Sequence, residues 1–212
     1  IMEEVLYNVT HRDIPIMNYI FEIILLAIIV IILIIVTWLN VDFAQSEQKR
    51  AGIRGEKFTI KLIRETMRND DILLCNVRIS FEGKKTEIDN VILNKRGIYI
   101  IEVKNYVGTI TGGLNDYEWS KTKTTASGNE YTSVVKNPIN QVRRQVYLLA
   151  NYLKANGINI WIEGYAFLVE GNSPVQSAYI LHDQKDIDAA IHLRTNNKLS
   201  SQTREKIIEL LS

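Results

Sequence analysis

The sequence predicts an α/β domain preceded by a single membrane-spanning helix. Two strongly apolar segments, residues 87–93 and 98–104, flank Asn94-Lys95-Arg96-Gly97. They read as a hairpin, since Asn at the first turn position and Gly at the last suit a type I turn. Helical repeats lie on both sides of that hairpin, before residue 69 and after residue 137. An unbroken apolar run opens at Tyr19 and closes at Leu39. In a chain of 212 residues, 46% hydrophobic and 23% charged, that suits one globular domain beside the apolar run.

The apolar run comes first in the chain. As a helix it would extend about 31 Å, enough for a bilayer's hydrocarbon core. Its only charge, Glu22, stands one turn from its start. A cleaved signal peptide is the rival, but the apolar region is long for one and Asp42-Phe43-Ala44 is a poor cleavage site. Glu3, Glu4, Arg12 and Asp13 precede the run, and Lys49, Arg50, Arg54 and Lys57 follow it. The positive-inside rule then puts residues 1–18 outside, residues 19–39 in the membrane and residues 40–212 in the cytoplasm. A lone Cys75 suits a reducing compartment, and its neighbours Leu73, Leu74 and Val77 mark it as core filler rather than a nucleophile. Beyond residue 39 the chain carries 24 basic and 20 acidic residues, a net +4. That balance permits a local nucleic-acid patch without arguing for one.

Residues 45–68 read as a helix whose stripe of Ile53, Glu56, Ile60, Ile63 and Met67 puts Glu56 in a core-facing slot. Gly52 and Gly55 each cost a helix about 1 kcal/mol relative to Ala, so something there needs close approach. Asp70 and Asp71 break the helix, residues 72–81 form a strand, and Gly83 turns the chain into the hairpin. Residues 109–121, with Gly112-Gly113 and Trp119, continue as hairpin structure at the sheet margin. Residues 121–130 read as a polar, mobile loop over a site. Asn137 as N-cap and Pro138 in the first turn start the second long helix, and Gly157 ends it. Ile139, Val142, Val146, Leu149 and Leu153 form its core stripe, with Gln141, Gln145, Leu148 and Tyr152 on the adjacent one. Arg143 and Arg144 read as a solvated face. Strands at 158–169 and 175–181, a short helix at 186–192 and a final helix at 203–211, capped by Ser200 or Ser201, complete the chain. No internal repeat or Gly-rich phosphate loop is present, and His11, His182 and His192 are too scattered for a His-based zinc site.

The central hairpin contains a conflict. Its strands are apolar on both faces near the turn, as strands buried on two sides are. Yet Asp89, Glu102 and Lys104 lie at the far ends of both strands. Buried charge is costly unless it is paired or bound to metal. Glu102 and Lys104, two apart, share one face. If the turn closes symmetrically, Asp89 lies opposite Glu102, about 5 Å away. A three-residue loop with a bulge would instead send Asp89 to the other face.

A helix Glu, then Asp and Glu-x-Lys on adjoining strands, then a helix, resembles the nuclease-related domain (NERD) family of the PD-(D/E)XK nuclease superfamily. The matching phrases are Gly52-x-x-Gly55-Glu56, Glu87-Ile88-Asp89-Asn90, Ile101-Glu102-Val103-Lys104 with Gly108, Trp119, and Asn137-Pro138-x-x-Gln141. They span about residues 48–155, and Asn90 stands where the family commonly has His. The resemblance implies a restriction-endonuclease-like αβββαβ core with a mixed sheet between helices. It also implies a nuclease acting on DNA or RNA with Mg²⁺ or Mn²⁺. Asp89 and Glu102 would hold the ion through hard oxygen donors, with Glu56 adding a metal or water contact. Lys104 would orient the attacking water or offset charge on the phosphate, and Gln141 would position the phosphate or support Lys104. A salt-bridge cluster at a sheet end is the plain structural alternative. Among functions, a non-catalytic module that holds nucleic acid or protein at the membrane competes with the nuclease, as does a tethered scaffold.

Overall fold

The computed structural model describes residues 2–193 and 198–212, with the side chains of residues 2–18 and 41–46 left aside. Glu3, Glu4, Arg12 and Asp13, on which the predicted membrane orientation rests, are therefore outside the described side chains. The chain divides into two units, Ile1–Arg50 and Ala51–Ser212. The first is helical and contains Tyr19–Asn40, 22 residues of mean hydropathy 3.4 with none of the segment buried inside the protein. By length and composition this helix is fit to be a membrane span or a signal sequence.

The second unit begins within helix α1 (Met2–Thr66) and continues through β1 (Ile72–Phe81), β2 (Lys84–Asn94) and β3 (Gly97–Lys104). A small antiparallel sheet follows, β4 (Thr109–Thr111), β5 (Glu118–Thr124) and β6 (Glu130–Lys136). Then come α2 (Pro138–Ala155), β7 (Ile162–Leu168), β8 (Ile180–Leu181), α3 (Gln184–His192) and α4 (Ser201–Leu211). The main sheet has the order β1-β2-β3-β7-β8, antiparallel through β3 and parallel beyond it. A parallel neighbour for β3 demands a long crossover, which the small sheet and α2 supply. This is the expected αβββαβ core and mixed sheet, with a second sheet inserted into the crossover.

Alternation along β3 sorts the two layers. Ile98 and Ile100 pack with Leu148, Leu149 and Leu153 of α2, while Tyr99 and Ile101 pack with Ile63 of α1 and Ile187 and Ile191 of α3. The β2–β3 turn holds only Lys95 and Arg96, since Asn94 pairs with Gly97. The Asn94 side chain accepts from the Arg96 and Gly97 amides at 2.8 and 3.2 Å, closing the turn. That symmetric closure keeps the register that places Asp89 and Glu102 at one level.

Several local expectations are corrected. The stretch 121–130 is a hairpin, not a loop, with Trp119 to Thr124 paired to Val135 to Glu130. The strand expected over 175–181 shrinks to two residues, and the one expected from 158 starts at Ile162. Cys75 is exposed rather than core filler, because it lies on the edge strand where neither helical layer covers it. On α1 the buried face runs through Gly55, Thr59 and Ile63, while Ile53 is 42% exposed and Glu56 only half-buried. Small residues were the contact face there, and an apolar stripe does not register them.

Candidate active site

The site grows out of an interruption in the sheet. The β1–β2 ladder pairs Cys75 with Asn90 and Val77 with Ile88 but skips Asn76 and Asp89. Asn76 takes a positive φ of 54° there. The β2–β3 ladder likewise ends at Asn90 and Ile101, one pair short of Asp89 and Glu102. Freed from the ladder, Asp89 uses its own carboxylate to satisfy β3, with Oδ2 accepting from the Val103 amide at 2.8 Å. Asn90, 1% exposed, donates from its amide to the Ile101 carbonyl at 3.2 Å.

Glu102 continues the Ile98–Ile100 row beneath α2, so its carboxylate is buried at 3% exposure and must be satisfied by protein. Lys104 Nζ donates to Oε1 at 2.8 Å, and the Gln141 amide donates to the same oxygen. Gln145 Nε2 donates to Oε2 at 2.6 Å and also to the Glu87 carbonyl at 3.1 Å. Gln141 and Gln145 are one helical turn apart, so one face of α2 reaches both oxygens. Four of the five expected site residues thus meet here. Gln145, seen in the sequence only as a neighbour of Gln141 on its stripe, is a fifth member. Its i, i+4 spacing from Gln141 was the available signal. Gln145 Oε1 is buried without a hydrogen-bond partner.

Burial first, and then the like charge of Glu102, push the Asp89 carboxyl up to about 7. Burial works against the Lys104 ammonium, but the charge and hydrogen bond of Glu102 outweigh it and hold the lysine above its ordinary value. Tyr106 lies within the field of both Lys104 and Glu102, and burial raises its phenol. Glu56 adds a smaller repulsion on Asp89. Among the described residues, however, no three His, Cys, Asp or Glu side chains gather into a metal-holding group. Asp89 and Glu102 fit a hard divalent cation as a pair: two desolvated carboxylates in mutual repulsion, beside an orphaned amide oxygen.

The loop after Lys104 is fastened on two sides. Asn105 Nδ2 donates to the Ala51 carbonyl at 2.7 Å, and a Cβ on Gly55 would stand 2.8 Å from that of Asn105. This is the close approach that the helical glycines forecast, met by Gly55 and not by Gly52, which faces open space. Asn172 donates to the carbonyls of Tyr106, at 2.6 Å, and Gly108. Farther on, Trp119 lies against Gly112 and donates to the Gly113 carbonyl at 2.8 Å. Asn137 caps α2 by accepting from the Ile139 amide, and its own amide reaches the Asp116 carbonyl at 2.8 Å. The dispersed phrases of the sequence are therefore fasteners around one cluster.

Comparison with known proteins agrees. The nuclease-related domain (NERD) profile matches residues 51–169. A protein of Bacillus anthracis, described as uncharacterized, is 29% identical over 103 residues, which are 48% of this chain and 45% of that protein. The chain thus spans about half the length of the curated relative it matches. No solved structure matches.

Proposed function

The chain belongs to the nuclease-related domain family, and from that premise we propose that it is a membrane-anchored, Mg²⁺- or Mn²⁺-dependent phosphodiesterase acting on DNA or RNA. The observation that carries the proposal is the Glu102 carboxylate, buried at 3% exposure yet held by Lys104, Gln141 and Gln145 beside a desolvated Asp89. A buried charge cluster of this kind is poor value for stability, because apolar residues of similar volume often serve as well. Asp89 and Glu102 are the residues to hold the ion, which supplies a Lewis acid toward phosphate and water when bound. Lys104 offsets charge developing on the phosphate or orients the attacking water. Gln141, exposed at the head of α2, positions the phosphate, while Gln145 fixes the orientation of Glu102. Glu56 contributes its charge from the flank or a water contact. The N-terminal helix anchors the domain, with residues 1–18 outside and the domain in the cytoplasm.

A non-catalytic module that holds nucleic acid is the second reading, favoured by one observation: Glu56, Asp89 and Glu102 do not gather into a single group. Incubating the detergent-solubilised full chain with mixed DNA and RNA, in Mg²⁺ or Mn²⁺ against EDTA, separates the two. Cleavage that requires the ion and disappears in Glu102→Gln supports the nuclease. Strand binding without cleavage in any metal supports the module.

A further inference from the structure

A cleft of about 370 Å³ opens beside the carboxylate cluster, between the start of β2, the small sheet and the head of α2. Tyr117, Lys136, Asn140, Gln141 and Arg144 line it. Gln141 belongs to both places, donating to Glu102 while forming part of the cleft wall. Whatever occupies the cleft therefore lies one side chain from the reacting centre.

Its chemistry is that of a polyanion with a flat face. Lys136, Arg144 and the adjoining Lys84 and Lys85 form no ion pair among the described residues. Glu118, across the ladder from Lys136, does not pair with it, and Glu87 is engaged by Arg78 at 3.3 Å. Arg144 is steadied by donating to the Lys85 carbonyl at 3.1 Å. Tyr117 is 73% exposed, yet its backbone is fixed. Its carbonyl accepts from the Asn137 amide at 3.1 Å, and the preceding Asp116 carbonyl accepts from Asn137 and Asn140. An exposed ring on a held backbone offers a stacking face beside these cations.

We infer that this cleft is a nucleotide subsite for an unpaired strand, with the phosphate on Lys136 and Arg144 and the base on the Tyr117 ring. The inference rests on the nuclease reading and narrows its substrate to single-stranded DNA or RNA. Stacking decides the strand state. The exposed Tyr117 ring can meet the face of a base only where that base is unstacked, and inside a duplex both faces are covered by neighbouring pairs. Stacking on a lone aromatic beside cations is also indifferent to sequence, since every base has a π-face.

The test uses the full chain in detergent, with labelled oligo(dT), oligo(U) and a duplex of mixed sequence, read by anisotropy in EDTA. Cleavage of the same strands is read separately in Mg²⁺. Single strands should bind more tightly than duplex. Tyr117→Ala should weaken single-strand binding by about ten-fold, with Tyr117→Phe retaining it. Lys136→Ala and Arg144→Ala should each reduce the log–log salt slope by about 0.7, and Arg144→Lys should restore it. Lys206→Ala, at the opposite end of α2 where Nζ donates to the Asn156 carbonyl, should change nothing. Equal binding of duplex, or variants that bind as the wild type does while keeping its melting temperature, overturns the subsite. Those results leave the nuclease reading standing if wild type cleaves. Absence of cleavage with the predicted binding pattern overturns the nuclease reading alone.

Discussion

Lys104 is the residue at which catalytic and structural roles part most clearly. If it acts on the water or the developing charge, Lys104→Ala should lower turnover by about 10² to 10³. Divalent-ion affinity should hold or rise, because a cation beside two carboxylates has been removed. Asp89→Asn should weaken Mn²⁺ binding instead. Unchanged cleavage by folded Lys104→Ala protein would sink the role given to it. Asp89 also makes a pH prediction. Its carboxyl, normally near 3.8, is held at about 7 in the fold, so the folded state binds that proton more tightly than the unfolded chain. The contribution to stability is fully present below the unfolded value and is lost as pH rises through the folded one. Without divalent ion the melting temperature should therefore decline from about pH 4 to above pH 7. Mg²⁺ should recover the loss at the alkaline end, and Asp89→Asn should flatten the curve. The two glutamines should also differ. Gln145→Ala leaves a buried carboxylate oxygen without its donor and should cost about 1.5–3 kcal/mol in chemical denaturation. Gln141→Ala, at an exposed position, should impair cleavage with little loss of stability.

Among elements, α1 and α2 hold the site from opposite sides of the sheet, and each meets it through an unusual contact. On α1 the contact is the absence of a side chain at Gly55, which lets the helix approach Asn105 and Val169. Gly55→Ala places a Cβ 2.8 Å from the Asn105 Cβ, so helix or loop must shift. The expected cost is about 1–3 kcal/mol, with cleavage reduced because the loop follows Lys104 directly. Gly52→Ala meets nothing within 4 Å and should stabilise the helix by about 0.5–1 kcal/mol with cleavage intact. Equal behaviour of the two variants in thermal melts would contradict the close-packing account. On α2 the contact is a turn of two glutamines facing a buried carboxylate, where an ordinary amphipathic helix would bring leucine. The same helix does so two turns later, with Leu148, Leu149 and Leu153 on the core.

For the whole molecule, the apolar helix and the nuclease-like domain make separate demands. None of Tyr19–Asn40 is buried inside the protein, and the proposed membrane anchor would take its apolar side chains out of water. The full chain should sediment with membranes and resist extraction by high salt. A reporter fused after Ser212 should lie in the cytoplasm, given the basic flank of Lys49, Arg50, Arg54 and Lys57. Release by salt, or proteolysis of the domain from outside intact cells, would overturn the anchoring and its orientation.

Much of this protein was legible before any coordinates, because its strongest signals are local. The apolar run, the hairpin of residues 84–104 and the amphipathic α2 follow from hydropathy periods and turn chemistry, which act between near neighbours. The charges of Asp89, Glu102 and Lys104 marked the candidate site because they conflict with that local pattern. Parity along one strand then put Glu102 and Lys104 on the same face. Other features were settled only in the folded chain. Whether Asp89 joined Glu102 depended on closing a turn with two residues rather than three, a difference of little local energy that reverses a side chain's face. The buried role of Gln145, the contact face of Gly55 and Thr59, and the exposure of Cys75 all depend on which distant layer covers each position. Residues 121–130 became a hairpin because Trp119 could be buried, and Val135 partly covered, against Ile110 and the head of α2. Polar sequence alone carries no such instruction. Burial of the flanking apolar side chains supplies it, and burial is a property of the assembled layers.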